Sequence, residues 1–236
     1  MPADFLHHVS LADWIGLAVF GVGWLGYGWY ADRSVRGARG LRFATDVHRL
    51  QWAREMVRRE NRMTDVALTG NLMQSVSFYA STTTYIIAGV IAVAGTLDRL
   101  TSLTAELPFA KVTARELTEF KVLLLAAIFI FAYFKFTWAL RQFNFLSIMV
   151  GGAPAANAPE DVAEPYARRF ALLSALAGDE FNRGVRAYYF GFAAMTWFIS
   201  PQHFIAFTAI ILAVLWRRDY RSHTLRVLQG GDASPP

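Results

Sequence analysis

The chain contains no cysteine among its 236 residues, which excludes a disulfide framework, a thiol nucleophile and any metal site built on cysteine. Its five histidines are scattered, without the H-E-x-x-H spacing that places two of them on one helix face. The sequence also lacks a G-x-S-x-G motif and a P-loop. We therefore expect no metal site, no cofactor and no enzymatic activity.

Charged residues are also scarce, at 17% of the chain, whereas hydrophobic residues make up 55%. In a soluble domain about a quarter of the residues are usually charged. Here the charges are confined to a few blocks, and long uncharged runs separate them. This distribution predicts an all-α, polytopic helical membrane protein that forms a single integral membrane domain over residues 1–236.

The charge that is present is mainly basic, with a formal net charge of +5, and 20 of the 23 basic residues are arginine. In a soluble protein this balance would indicate nucleic acid. In a membrane protein it is typical of cytoplasmic segments that face anionic lipid. We therefore expect the anionic headgroups of membrane lipids as partners, and no nucleic acid.

Five apolar runs are long enough to cross a bilayer, since about 20 helical residues span its hydrocarbon core. The last two come from one uncharged run of 30 residues, Ala187 to Trp216. Pro201 divides that run because the residue before a proline disfavours helix. The five predicted transmembrane helices are residues 9–30, 71–96, 120–140, 182–199 and 203–220.

The basic segments between the spans set the orientation. They cover residues 31–69, 141–181 and 221–236, and the first two contain amphipathic helices. Five spans place 18 of the 20 arginines on one side of the membrane, which the positive-inside rule assigns to the cytoplasm. Four spans would place the last arginine cluster outside. The prediction is therefore an N-terminus outside and a C-terminus in the cytoplasm.

Polar side chains recur on one face of the second span. Gln74, Ser77 and Ser81 share that face at helical spacing, and Asn71 lies at its edge. Hydroxyls in membrane helices often hydrogen-bond to their own helix or to a neighbouring one, which is the alternative to a ligand site. A second stripe on the same helix contains small residues spaced by four and predicts close helix packing: Ala80, Thr84, Ala88, Ala92 and Thr96.

Lys135 is the charge that the pattern explains least. A lysine in hydrocarbon costs about 2.5–3.5 kcal/mol on insertion scales. Its side chain leans toward the helix N-terminus, away from the nearer cytoplasmic face, so we expect it to face protein or water. Gln142 continues its helix face, whereas Arg141 and Asn144 belong to a second polar face about 120° round the helix.

Antiparallel packing of the second and third spans would bring these groups into one cytoplasm-facing pocket. No carboxylate is predicted at its level, which favours an inorganic or organic anion. The alternative is that Asp65 or Glu60 forms a salt bridge with Arg141. The predicted binding residues are Lys135, Arg141, Gln74, Ser77, Ser81, Asn71, Gln142 and Asn144.

Two functions fit this pocket and these basic segments. One is an oligomeric anion channel or transporter, with the path between subunits because five spans leave little interior volume. The other is a non-catalytic accessory or scaffolding subunit of a membrane complex, which binds anionic lipid or a partner protein. A homo-oligomer is expected in the first case.

Several strings resemble a known family of bacterial and plant membrane proteins, the domain of unknown function number 599. They are RRENRMTDVALTGNLMQSVSFYASTT from Arg58, FKFTWALRQFN from Phe134, NRGVRAYYFGFAAMTWF from Asn182, and WRRDYRS from Trp216. The resemblance implies an integral protein of the bacterial inner membrane. It implies no activity.

Overall fold

The computed structural model describes residues 9–33, 40–96 and 115–230 of the chain. Within these ranges the chain forms six helices of 18 residues or more and one short helix, without any strand. They are α1 (Leu11–Arg33), α2 (Leu41–Arg58), α3 (Met63–Ala94), α4 (Arg115–Gly151), α5 (Glu160–Thr196), α6 (Pro201–Arg221) and α7 (His223–Leu228). The all-α prediction is confirmed. The predicted segments 31–69 and 221–236 are described only in part, because residues 34–39 and 231–236 lie outside these ranges.

Among the described residues, three helices are long and apolar enough to cross a membrane. They are α1 over Leu11–Asp32, α3 and α4, which include most or all of the first three predicted spans. α5 and α6, which include most or all of the fourth and fifth predicted spans, are long enough but fall short of the same measure of apolar composition. The structure thus identifies three candidate spans where the sequence predicted five.

Three helices extend beyond their predicted spans. α3 begins at Met63 instead of residue 71, and α4 continues past residue 140 to Gly151. α5 joins a predicted cytoplasmic helix to the span predicted at 182–199 in one helix of 37 residues. The predicted break at Pro201 is confirmed, because α5 ends at Thr196 and α6 begins at the proline. A proline in the first helical position costs no hydrogen bond, since the N–H it lacks would have no partner in the helix.

The described residues form two compact units. The first takes its residues from Met1–Ser34, Thr82–Tyr133 and Val185–Trp216. Aromatic rings fill its core: Trp24 stacks on Phe190 with centroids 5.6 Å apart, and Trp197 stacks on Phe204 at 5.0 Å. Phe190, Trp197 and Phe204 are fully buried.

Buried polar groups in the first unit have partners. The Trp197 indole donates to the Asp13 carboxylate at 2.7 Å, and the Lys121 ammonium donates to the Trp197 carbonyl at 3.0 Å. Arg186 pairs with Asp32 at 2.8 Å. These contacts join α1 and α4 to α5 and to the turn that follows it, and they offset part of the desolvation cost of the buried charges.

The second unit takes its residues from Val35–Ser81, Phe134–Gly184 and Arg217–Pro236. The apolar stripe of α2 lies in its core, where Ala53, Met56 and Val57 are buried. α2 runs antiparallel to α5, because its arginines meet α5 carboxylates in reverse sequence order. The pairs are Arg42 with Asp179, Arg54 with Glu164, and Arg58 with Glu160.

Candidate functional site

Lys135 is paired with a carboxylate. Its ammonium donates to Glu180 Oε2 at 2.8 Å, and Arg183 donates to the other oxygen of the same carboxylate. The prediction that no acid lies at the level of Lys135 was therefore wrong. The error came from assigning Glu180 to a separate cytoplasmic helix, whereas α5 continues through it without a break.

Gln142 lies two turns along α4 from Lys135, on the same face by helical periodicity. It is 8% exposed, and its Oε1 has no hydrogen-bond partner among the described residues. Gln142 therefore belongs to the interior of the second unit.

Asp65, predicted as a partner of Arg141, lies in a different contact. Its side chain is fully buried, and its Oδ1 accepts from the Trp52 indole and from Arg59, each at 2.7 Å. Glu60, the other predicted partner, is exposed and forms no ion pair within the described part of the chain. Neither acid pairs with Arg141. The carboxylate of Asp65, at the start of α3, is instead bound to Trp52 and Arg59.

Arg62 completes this corner between α2 and α3. Its guanidinium donates to the carbonyls of Met56 and Val57, each at 3.2 Å, at the C-terminal end of α2. It also donates to Ala153 O at 3.1 Å and to Pro154 O, in the connection between α4 and α5. Carbonyls at a helix end have no partner within the helix, so the arginine acts as a C-terminal cap. The string RRENRMTD thus includes contacts that hold the corner together.

Three of the four arginines of α2 pair with carboxylates of α5, and Arg49 pairs with Asp46 of α2 itself. Arg54 binds Glu164 through two hydrogen bonds of 2.9 and 2.7 Å, and Arg168 binds the same carboxylate at 2.7 Å. The hydrogen bond from Arg54 lowers the pKa of Glu164 from 4.5 to about 2. Contacts within the chain therefore occupy much of the basic surface that the sequence assigned to lipid.

The polar face of α3 points away from the second unit. The buried positions of this stretch are Asp65, Thr69, Val76 and Ala80. The predicted ligand residues lie nearly opposite by helical periodicity: Asn71, Gln74 and Ser81 are exposed, and Ser77 is half-buried. Ser75, at the edge of this face, donates to the Asn71 carbonyl at 3.0 Å. The side chains of Gln74 and Ser81 make no hydrogen bond within the described residues.

α4 also has an outward polar face. Arg141 and Asn144 are exposed there, and the Arg141 guanidinium lies over the Phe145 ring at 5.6 Å from its centroid. The structure therefore does not assemble the predicted pocket. Lys135 and Gln142 face the interior of the second unit, whereas Arg141, Asn144 and the α3 residues face away from it.

Sequence reasoning missed the acidic partners on α5. Asp179 and Glu180 are adjacent in the sequence, and Arg183 follows one turn later. The available signal was the reverse order of the α2 arginines and the α5 acids, which is typical of two antiparallel helices. The sequence alone could not show whether the α2 arginines pair with α5 carboxylates or face anionic lipid.

The described part of the chain is thus all-α, with three helices long and apolar enough to cross a membrane and a second unit rich in arginine–carboxylate pairs. The family described as "Protein of unknown function, DUF599" matches residues 15–224, and the chain belongs to that family. The resemblance seen in the sequence is thereby confirmed. No curated protein and no solved structure shows significant similarity to the chain.

Proposed function

We propose that the chain is a non-catalytic subunit of a homo-oligomeric membrane complex, and that it assembles through the polar face of α3. The observation that carries the proposal is the outward position of Asn71, Gln74 and Ser81. A helix apolar enough to span the membrane here presents two amides and a hydroxyl to its surroundings. Hydrocarbon offers these groups no hydrogen bond, whereas the same face of a second copy does.

The membrane placement is part of the proposal. The chain would cross the inner membrane of a bacterium five times, with the N-terminus outside and the C-terminus in the cytoplasm. The two additional spans are residues 182–199 in α5 and 203–220 in α6. The arginine distribution supports this orientation, since 18 of 20 arginines then lie on the cytoplasmic side.

The energy available from the face is modest. Hydrogen bonds between membrane helices contribute about 0.6 kcal/mol each on average, with a maximum near 1.7. The loss of two such bonds therefore weakens association by about 1.2 kcal/mol, which raises the dissociation constant roughly eightfold. Such a change is measurable by the mass of the complex over a range of protein concentrations.

The test compares the purified chain with the double variant Gln74→Leu/Ser81→Leu by sedimentation in detergent and in lipid nanodiscs. We expect an oligomer for the parent chain and a shift toward monomer for the variant. Ser75→Leu is the control for the change from hydroxyl to leucine, because that hydroxyl already bonds to its own helix. A parent chain that stays monomeric in both media would contradict the proposal.

A second candidate is an anion path between subunits. It is favoured by the same α3 face, whose amide and hydroxyl groups could donate to chloride, a carboxylate or phosphate where two copies meet. Lys135 is paired with Glu180 inside the second unit, so its variant tests whether the lysine takes part in the path at all. The test is anion flux into liposomes, with Ser81→Leu and Lys135→Ala as variants. No flux from the parent chain would exclude this candidate, and undiminished flux for Lys135→Ala would exclude the lysine from it.

A further inference from the structure

A groove runs along the outward face of α4, separate from the polar face of α3. We call it the Arg141 groove; it is a shallow depression that is largely open on its outer side. Six residues of one helix line it: Phe134, Thr137, Trp138, Leu140, Arg141 and Asn144. Their spacing places them on the side of α4 opposite its buried residues, which include Phe136, Ala139 and Phe143. The groove therefore opens to whatever surrounds the second unit.

Arg141 gives the groove its charge. Its described contact is with the Phe145 ring, and no carboxylate of the described chain lies within ion-pair distance of it. Arg54 and Arg59, in the same unit, each bind a carboxylate at 2.7 Å. The guanidinium of Arg141 is thus available to an anion from outside the chain.

The groove is divided into an apolar end and a polar end. Phe134 is 63% exposed and Trp138 is 48% exposed, while Arg141 and Asn144 lie one to two turns further along α4. From Phe134 to Arg141 the helix rises about 10 Å. The Thr137 hydroxyl donates to the Phe134 carbonyl at 3.1 Å, so the polar donors toward a ligand are Arg141 and Asn144.

We propose that the Arg141 groove binds an anionic phospholipid of the cytoplasmic leaflet. The phosphate would bind to Arg141 and Asn144, and an acyl chain would lie along Phe134 and Trp138. The inference rests on the proposed placement of α4 in the membrane, and it does not depend on assembly through α3. Tryptophan and arginine at the end of a span are typical of the lipid headgroup region.

The exposed aromatic side chains Phe134 and Trp138 favour a lipid over a free anion as the ligand of the groove. A free phosphate would use only Arg141 and Asn144 and would leave the Phe134 and Trp138 side chains in contact with water or lipid. An amphiphile matches both ends of the groove at once. One arginine near an anionic membrane surface contributes about 1 kcal/mol, which corresponds to roughly fivefold in affinity.

The experiment is lipid titration of the full chain in detergent, followed by native mass spectrometry. Phosphatidylglycerol is compared with zwitterionic phosphatidylcholine for the parent chain, Arg141→Gln and Trp138→Ala. Arg169→Gln is the matched control, because Arg169 is also exposed and also lies over an aromatic ring, that of Tyr166 at 5.5 Å. Asn144→Leu is a second variant at the polar end, in case Arg141→Gln lowers the yield of folded protein.

We expect Arg141→Gln to weaken phosphatidylglycerol binding by about fivefold and to leave phosphatidylcholine binding unchanged. Trp138→Ala should weaken the binding of both lipids, whereas Arg169→Gln should change the binding of neither. Millimolar inorganic phosphate should not displace the bound lipid. Equal binding of the two lipids by the parent chain would overturn the proposal, as would an equal loss in Arg169→Gln. Displacement by inorganic phosphate would indicate a simple anion site instead.

The mass spectra also report the oligomeric state, which separates this inference from the proposed assembly. If Arg141→Gln reduces the oligomer and leaves lipid binding unchanged, the groove is a contact between copies and the lipid proposal is wrong. If the chain is monomeric but binds phosphatidylglycerol through Arg141, the lipid proposal stands and the assembly proposal fails.

Discussion

Replacement of Asp65 should destabilise the second unit more than replacement of any exposed acid there. Its fully buried carboxylate holds the Trp52 indole and the Arg59 guanidinium, each at 2.7 Å. Asp65→Ala removes the oxygen, Oδ1, that accepts both hydrogen bonds at the corner between α2 and α3. Asp65→Asn keeps one amide oxygen as an acceptor but removes the negative charge.

The size of the effect follows from these two bonds. A hydrogen bond to a charged group contributes about 1.5–3 kcal/mol when it is protected from water. The Arg59 side chain is 41% exposed, so water can replace much of its hydrogen bond to Asp65. We therefore assign about 1 kcal/mol to that bond. With about 2 kcal/mol for the indole bond, Asp65→Ala should cost about 3 kcal/mol and Asp65→Asn about half of that.

The measurement is the free energy of unfolding in mixed micelles, followed by tryptophan fluorescence. Asp46→Asn is the control, because Asp46 pairs with Arg49 in a partly exposed contact that should contribute at most about 1 kcal/mol. The double variant Trp52→Phe/Asp65→Ala should show a coupling of about 1 kcal/mol or more. Additive effects of the two substitutions, or a loss no larger than that of the control, would show that the Asp65 hydrogen bonds do not stabilise this corner.

Three further expectations concern other contacts. Above about pH 5, the free energy of unfolding of the wild type should exceed that of Glu164→Gln by a constant amount. This difference should disappear as the pH falls from 4.5 toward 2, because only the ionised carboxylate binds Arg54. The measurement is the unfolding free energy of both proteins over this pH range. Gly184→Ala should lower the midpoint of thermal unfolding, since the new Cβ would lie 2.5 Å from the Phe136 ring. Gly26→Ala is the control: its new Cβ would have no neighbouring atom within 4 Å, so the substitution should be neutral or slightly stabilising. Arg62→Lys should destabilise nearly as much as Arg62→Ala, because one ammonium cannot reach four carbonyls in two segments, and full rescue by lysine would contradict this geometry.

The helices themselves were predictable because their signals are local. Long uncharged runs marked the apolar parts of α1, α3 and α4, and Pro201 marked the start of α6. The helix ends were less predictable. α4 passes through Arg141 and Gln142 to Gly151, because polar residues can continue a helix whose buried face remains apolar.

The candidate site was harder to predict because it depends on which helix faces meet. Lys135 stood out in the sequence as the charge that the pattern explained least, and helical spacing placed Gln142 on the same face of the third span. The partner Glu180 was missed because periodicity assigns a residue to a face of its own helix and does not identify the opposing helix. Asp65 was paired with the wrong cation for the same reason. Its partners Trp52 and Arg59 lie close in sequence but reach it only through the α2–α3 corner.

Assembly through α3 can be tested directly, because the chain contains no cysteine of its own. Single cysteines are introduced one at a time from Gly70 to Ser81, and mild oxidation or a short cross-linker is applied in isolated membranes. A cross-link requires the two Cβ atoms to lie within a few ångströms of each other, so its yield reports which face meets the second copy.

We expect the yield of covalent dimer to vary with helical periodicity, with maxima at Gln74, Phe78 and Ser81 and minima at the buried positions Val76 and Ala80. Ile148→Cys, exposed on α4, serves as the control and should give little dimer. The absence of dimer at every position, or equal yields around the helix and at Ile148, would contradict assembly through the polar face of α3.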